Sequence, residues 1–140
     1  MLCDIKNELG NPTVRKLVSE SAFDKSTEAM DRKAAEFQRR EDLHLYGWFE
    51  NNEILGVCGV EVHSKWVVIH NIAVDPKTRK NGIGKAMINA VQQKYKTAVE
   101  AETDDDAVEF YRKCGFETKG FMKTYNSVEY QRYRCVLRFN

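Results

Sequence analysis

The chain has 140 residues, 42% hydrophobic and 31% charged, the balance of one soluble globular domain with its own core. Twenty-two lysines and arginines stand against 21 acidic residues, so overall charge gives no attraction to nucleic acid, and the positive potential an anionic ligand needs has to be local. No apolar run is long enough to span a bilayer, and Met1-Leu2-Cys3-Asp4-Ile5 lacks the apolar centre of a signal peptide.

Asn11-Pro12 reads as a helix cap followed by proline in the first turn, with Val14, Leu17 and Val18 as the apolar face. A second helix is predicted from about Ser26 to Arg40, where Met30, Ala34 and Phe37 recur at helical spacing. Leu43 to Glu50 reads as a strand, Asn51-Asn52 as a hairpin turn and Ile54 to Val62 as the returning strand. After a turn at His63-Ser64-Lys65, Trp66 to Val74 is nearly continuous apolar sequence, the pattern of a strand at a sheet centre. Ile83, Met87, Ala90 and Val91 mark the buried stripe of a third helix, followed by a short strand from Ala98 to Thr103 and a helix around Tyr111. Two strands near Phe116 to Thr124 and Tyr130 to Phe139 complete the chain. The central strand–helix–strand unit needs a crossover, so its two strands are predicted parallel. The expectation is one α/β domain, residues 1–140, with a mixed, mostly antiparallel central sheet flanked by helices. Four scattered cysteines (Cys3, Cys58, Cys114, Cys135), no C-x-x-C and only three histidines argue against a disulfide framework or a metal site, and for a reducing cytoplasm.

The strongest functional signal is Ile72-Ala73-Val74-Asp75-Pro76-Lys77-Thr78-Arg79-Lys80-Asn81-Gly82-Ile83-Gly84-Lys85-Ala86. A buried strand stops at a proline, passes a basic loop containing glycine, and opens directly into an amphipathic helix. Such a helix start binds phosphate, because its first N–H groups lack intrahelical partners and the helix dipole adds positive potential. Gly82 and Gly84 let an anion approach the backbone, while Arg79, Lys80 and Lys85 supply formal charge. The two common phosphate loops do not fit: a P-loop requires glycine at Arg79 and Ser or Thr at Ala86, and a dinucleotide fingerprint requires a third glycine at Met87.

What fits is R-x-x-G-x-G at Arg79, Gly82 and Gly84, after a strand ending Val-Asp-Pro. A second segment, Asp104 to Phe116, carries A-x-x-F-Y on a helix that ends in Gly115-Phe116. Its aspartates suit a helix start, Ala107, Val108, Tyr111 and Cys114 keep helical spacing, and Gly115 is a natural stop. In these two segments, their order and their separation, the chain resembles the GNAT superfamily of CoA-dependent N-acetyltransferases over roughly residues 66 to 120.

The resemblance implies a GNAT-like fold, acetyl-CoA as cosubstrate with no metal, and acetyl transfer to a primary amine of a small molecule or peptide by direct attack in a ternary complex. It implies that Ile72-Ala73-Val74 pairs with the pantetheine arm through the backbone of Ile72 and Val74, one amide facing the thioester carbonyl. Arg79, Lys80, Asn81, Gly82, Ile83, Gly84 and Lys85 then surround the pyrophosphate, and Tyr111 stands where the family has its thiolate proton donor. Lys80 and Asn81 depart from the family's usual glycine and basic residue at those positions. Asp104 stands where many relatives have an asparagine whose amide contacts the cofactor arm, and the resemblance carries it over as a cofactor-binding position; an ionised aspartate only accepts, and capping its helix is the alternative. Both monomers and homodimers fit the family, the C-terminal strand offering an edge. The alternatives are a catalytically silent CoA-binding or sensing module and an adaptor using Arg132, Arg134 and Arg138.

Acetyl transfer needs a neutral amine, and an alkyl amine of pKa ~10.4 is neutral in only about one molecule in 10³ at pH 7. Candidate bases are His70, counted by alternation onto the face of Ile72 and Val74, and Glu100 and Glu102, which share a strand face. A tyrosine near ~10 and a thiol near ~8.5 make full proton transfer to the thiolate uphill by about 2 kcal/mol, so a stabilising hydrogen bond is the more economical role for Tyr111. Cys58 and Cys114 lack an evident histidine partner and read as small buried hydrophobes, not acyl carriers. By the resemblance, acceptor recognition falls on about Ser21 to Tyr46 and on Phe121 to Tyr130.

Overall fold

In the computed structural model, which describes residues 1–22, 24–79 and 81–140, all the elements read from the sequence are present. The chain runs β1 (Leu2–Asp4), α1 (Pro12–Glu20), α2 (Thr27–Arg39), β2 (Leu43–Glu50), β3 (Glu53–Val62), β4 (Trp66–Val74), α3 (Ile83–Tyr95), β5 (Ala98–Thr103), α4 (Val108–Lys113), β6 (Glu117–Tyr125) and β7 (Val128–Leu137). The Asn11 side chain accepts from the Thr13 and Val14 amides to start α1, and Ser26 accepts from Ala29 to start α2. Asn51 and Asn52 both take positive φ, 52° and 63°, and close the β2–β3 hairpin. The edge strand β1 was not expected: three residues carry no readable period.

The seven strands form one sheet in the order β1-β2-β3-β4-β5-β7-β6. Among the described residues β4 and β5 are the parallel pair, and the other neighbours are antiparallel. The C-terminal strand β7 lies inside the sheet, between β5 and β6. It therefore offers no edge, because β6 folds back beside it; the two edges are β1 and β6.

Each sheet face has its own core. Val60, Val67, Ile69, Met87, Ile88, Val91 and Val99 join the sheet to α3 on one side. Val14, Leu17, Val18, Met30, Phe37, Leu45 and Val57 join it to α1 and α2 on the other. The buried stripe of α3 runs through Ile83, Met87, Ile88 and Val91; Ala90 of the predicted stripe is half-buried.

Two irregularities in β4 shape the site. Gly59 pairs with Asn71 and Val60 with Ile69, which leaves His70 as an extra residue on β4. That bulge shifts the alternation by one. Val67 and Ile69 before it and Ile72 and Val74 after it all pack on the α3 side, whereas Ala73 joins the α1–α2 side. Period-two counting, which grouped His70 with Ile72 and Val74, fails at this bulge. The second irregularity is that β4 pairs with β5 only from Trp66 to Val68, opposite Ala98 to Glu100. Beyond those three pairs the strands part.

Candidate active site

The parting of β4 from β5 leaves backbone groups without sheet partners. The Asp75 amide donates to Leu55 of β3 at 2.8 Å, so the Val74 carbonyl in the same peptide points away from β3, toward the gap. By the alternation of an extended strand, the N–H and C=O of Val74 and Ile72 face the gap, and those of Ala73 face β3. A cleft of about 570 Å³ opens there, lined by Ile72, Ala73 and Val74, by Arg79 and Gly82 to Lys85, and by Tyr111.

At the mouth of that cleft α3 begins without a side-chain cap among the described residues. Its first intrahelical bond is Ala86 N–H to Gly82 C=O, 2.9 Å, so the amides of Ile83, Gly84 and Lys85 have no intrahelical partner. Gly82 holds φ +76° with nothing within 4 Å of where a Cβ would stand; it is glycine for its backbone conformation. Gly84 serves differently. A Cβ on Gly84 would lie 2.8 Å and 2.9 Å from the Phe110 ring, so this glycine is the notch that lets α4 pack on α3. The two sequence motifs thus touch each other.

The positive charge lining the cleft comes from Arg79, Lys85 and Lys113. Arg79 Nε donates to the Val74 carbonyl at 3.2 Å, and its guanidinium pairs with Glu20 of α1 at 3.1 Å. Asn81 is exposed, its amide donating to Thr78 C=O at 3.3 Å, and it does not line the cleft. Lys80 lies outside the described residues.

Tyr111 is buried in the cleft wall, edge-on to Phe110 and Phe116. Burial is the main cause that pushes its hydroxyl above the ordinary tyrosine range, with nearby Cys58 and Cys135 adding to it. Cys58 is fully buried and its thiol is pushed up to about 12 by burial alone. Burial also raises the Cys114 thiol, with Lys85 opposing. Neither is poised as a nucleophile. Asp104 accepts from the amides of Asp106 and Ala107, both at 3.0 Å; it caps the turn before α4 and does not line the cleft.

The three candidate bases sit apart from this cleft. Glu100 accepts from Arg134 at 2.8 Å, and Glu102 accepts from Arg132 at 3.0 Å and from Lys123 at 3.4 Å. His70 Nε2 contacts Glu61 at 3.0 Å, and the residue borders a second recess of about 370 Å³ on the α2 side of β4, together with Asn71, Phe37 and Leu43. The two recesses are fed by successive residues of one strand, 70–71 and 72–74. Arg132, Arg134 and Arg138 pair with Glu102, Glu100 and Glu117, so the basic run on β7 is matched by carboxylates.

The Acetyltransferase (GNAT) family model matches residues 11–116. The chain belongs to the GNAT family. An uncharacterized N-acetyltransferase in the lysA 3' region of Bacillus methanolicus is 31% identical over 99 residues, spanning 70% of this chain and 82% of that relative. In fold, the chain is similar to the ribosomal-protein-S18-alanine N-acetyltransferase of Escherichia coli, with TM-score 0.75, 14% identity and coverage of 100% of this chain and 94% of that one. It is similar in the same sense to an aminoglycoside 6'-N-acetyltransferase complexed with coenzyme A, with TM-score 0.73, 15% identity and coverage of 99% and 96%.

This GNAT member is an N-acetyltransferase that uses acetyl-CoA. Among its described residues no helix is long and apolar enough to cross a membrane. Sequence reading missed two charged residues of the GNAT cleft, Glu20 and Lys113. Glu20 gives no sequence signal because it reaches Arg79 across 59 positions; Lys113 was legible, one helical turn before the Phe116 that ends the second motif.

Proposed function

We propose that this N-acetyltransferase carries the acetyl group directly from acetyl-CoA to the neutral form of a primary amine, on a small molecule or a peptide, within a ternary complex. One observation carries the reading: the backbone of Ile72 and Val74 faces a gap in the sheet that ends at the uncapped start of α3. The pantetheine arm lies along β4 as an added strand, accepting and donating at Ile72 and Val74. The pyrophosphate sits on the amides of Ile83, Gly84 and Lys85, with the side chains of Arg79, Lys85 and Lys113 around it. An amide of the gap strand meets the thioester oxygen as it gains charge. As the C–S bond breaks, Tyr111 donates a hydrogen bond to the sulfur. A hydroxyl whose pKa is raised resists full proton loss, which favours stabilisation over outright transfer.

Of the candidate bases, His70 borders the second recess, with Glu61 holding its ring; it takes the amine proton as the new C–N bond forms. Glu100 and Glu102 are engaged by arginines. Four free cysteines suit the reducing cytoplasm as its compartment. The test is free-thiol release from acetyl-CoA against amines, polyamines, amino acids, aminoglycosides and peptides. Release that depends on an added amine is expected. Tight CoA binding without release for any amine would replace this reading with a silent CoA-binding module.

A further inference from the structure

The second recess has a charge inventory of its own. Asp24 and Glu36 face it with Arg32 and Lys33, so its formal charges cancel; His70, Asn71, Phe37 and Leu43 complete it. The carboxylates are engaged: Glu36 with Arg40 at 3.1 Å, Asp24 with Arg32 at 3.9 Å and with the Ser26 amide at 2.9 Å. Lys33 is half-buried and, among the described residues, takes part in no ion pair. Burial lowers its ammonium below the ordinary lysine range, with Glu36 opposing at longer range.

A second group is also uncompensated. Asn71 is 5% exposed and its Oδ1 is buried, without a partner among the described residues. Its Nδ2 donates to Ser21 Oγ at 3.3 Å, and that hydroxyl gives its own proton to Val18 C=O at 2.8 Å. Ser21 therefore has to accept, which fixes the orientation of the amide and leaves the oxygen as the unsatisfied atom. The oxygen and the Phe37 ring both lie over Gly59, each 3.0 Å from where a Cβ on that glycine would stand.

We propose that the second recess is the acceptor subsite and selects an amine that also bears a carboxylate, the carboxylate on Lys33 and the amine nearest Asn71 and His70. The assignment rests on the acetyl-transfer reading above. Counted over the described residues, the recess has no net charge, one cation outside any ion pair and one unpartnered hydrogen-bond acceptor, the complement of a zwitterion. A phosphate dianion carries twice the charge that Lys33 can match, and a plain polyamine would leave Lys33 facing like charge. Asn71 and Ile72 are adjacent on β4, so an amine held at the first is next to the backbone that aligns the thioester.

The experiment compares matched acceptors, amino acids against their carboxamides and decarboxylated amines, in thiol release from acetyl-CoA. The wild-type chain is expected to favour the carboxylate by at least tenfold in kcat/KM. Lys33→Met should lower the carboxylate value at least tenfold more than the carboxamide value, and Lys33→Arg should restore much of the preference. Equal use of both acceptors, or an equal fall for both in Lys33→Met, overturns the proposal. A parallel calorimetric titration of the same pairs into the CoA-loaded protein separates the two readings. Carboxylate-selective binding that depends on Lys33, with no thiol release, upholds the subsite and removes the transferase mechanism; no selective binding removes the subsite.

Discussion

At the scale of single residues, the cleft is a set of groups with one task each. Tyr111 is held by aromatic neighbours on two sides, so deleting its hydroxyl costs little packing and removes only the hydrogen bond to sulfur proposed above. Tyr111→Phe is therefore expected to lower kcat about 10- to 100-fold, the range of one hydrogen bond to a charged atom, with acetyl-CoA affinity changed less than twofold. Stopped-flow or steady-state kinetics beside calorimetry would show the split, and wild-type turnover would remove Tyr111 from the mechanism. The thiols around it are kept inert by the same burial that raises the tyrosine.

At the scale of elements, the loop between β4 and α3 depends on two glycines for different reasons. Gly82 takes a left-handed backbone in open space, a conformation that costs other residues about 1–2 kcal/mol. Gly82→Ala is expected to weaken CoA binding roughly five- to thirtyfold, as the loop relaxes to escape that strain, while the melting temperature shifts by a few degrees at most. Gly84→Ala would instead press on Phe110 and appear first in the melting curve. A calorimetric titration with a thermal scan distinguishes them, and unchanged CoA affinity in Gly82→Ala would refute the loop's assigned role.

Elements also differ in how readable they were. β2, β4 and β5 emerge from the sequence to the residue because apolar runs end at turn-forming residues. β6 and β7 start one and two residues away from expectation, since their alternation is diluted by exposed aromatics such as Tyr125 and Tyr130. The His70 bulge left no trace, because an inserted residue alters pairing and not composition. The lining of the cleft between β4 and α3 was legible because both motifs are local in sequence. The second recess was legible only in part: the sequence and the resemblance single out His70 and the stretch Ser21 to Tyr46, but Lys33 and Asn71 meet only through the docking of α2 on β4.

At the scale of the molecule, Glu61 ties separate parts together. It pairs with Arg40 at the end of α2 at 3.0 Å, with His70 on β4 at 3.0 Å, and with His63 in the β3–β4 turn. Burial acts to raise its carboxyl, but hydrogen bonds from His70, Arg40 and His63 outweigh it and hold the group below the usual range. A carboxyl depressed in the folded state adds stability above its unfolded pKa of ~4.3, and that contribution disappears as pH falls through the lower folded value. The melting temperature is thus expected to drop between about pH 5 and 3, and Glu61→Gln should flatten that drop while lowering the melting temperature at pH 7. Parallel curves for the two proteins would sever the link.

The three-pair contact between β4 and β5 reaches beyond chemistry. With the cleft empty, the sheet is two ladders joined at one end, and under the reading proposed here the acyl donor supplies the missing rungs. Any ligand that binds only the folded chain stabilises it by mass action, about 2.7 kcal/mol at a hundredfold excess over Kd. The supply of acetyl-CoA would then govern how long each molecule survives in the cell as well as how fast it turns over, and starvation would shorten the protein's lifetime.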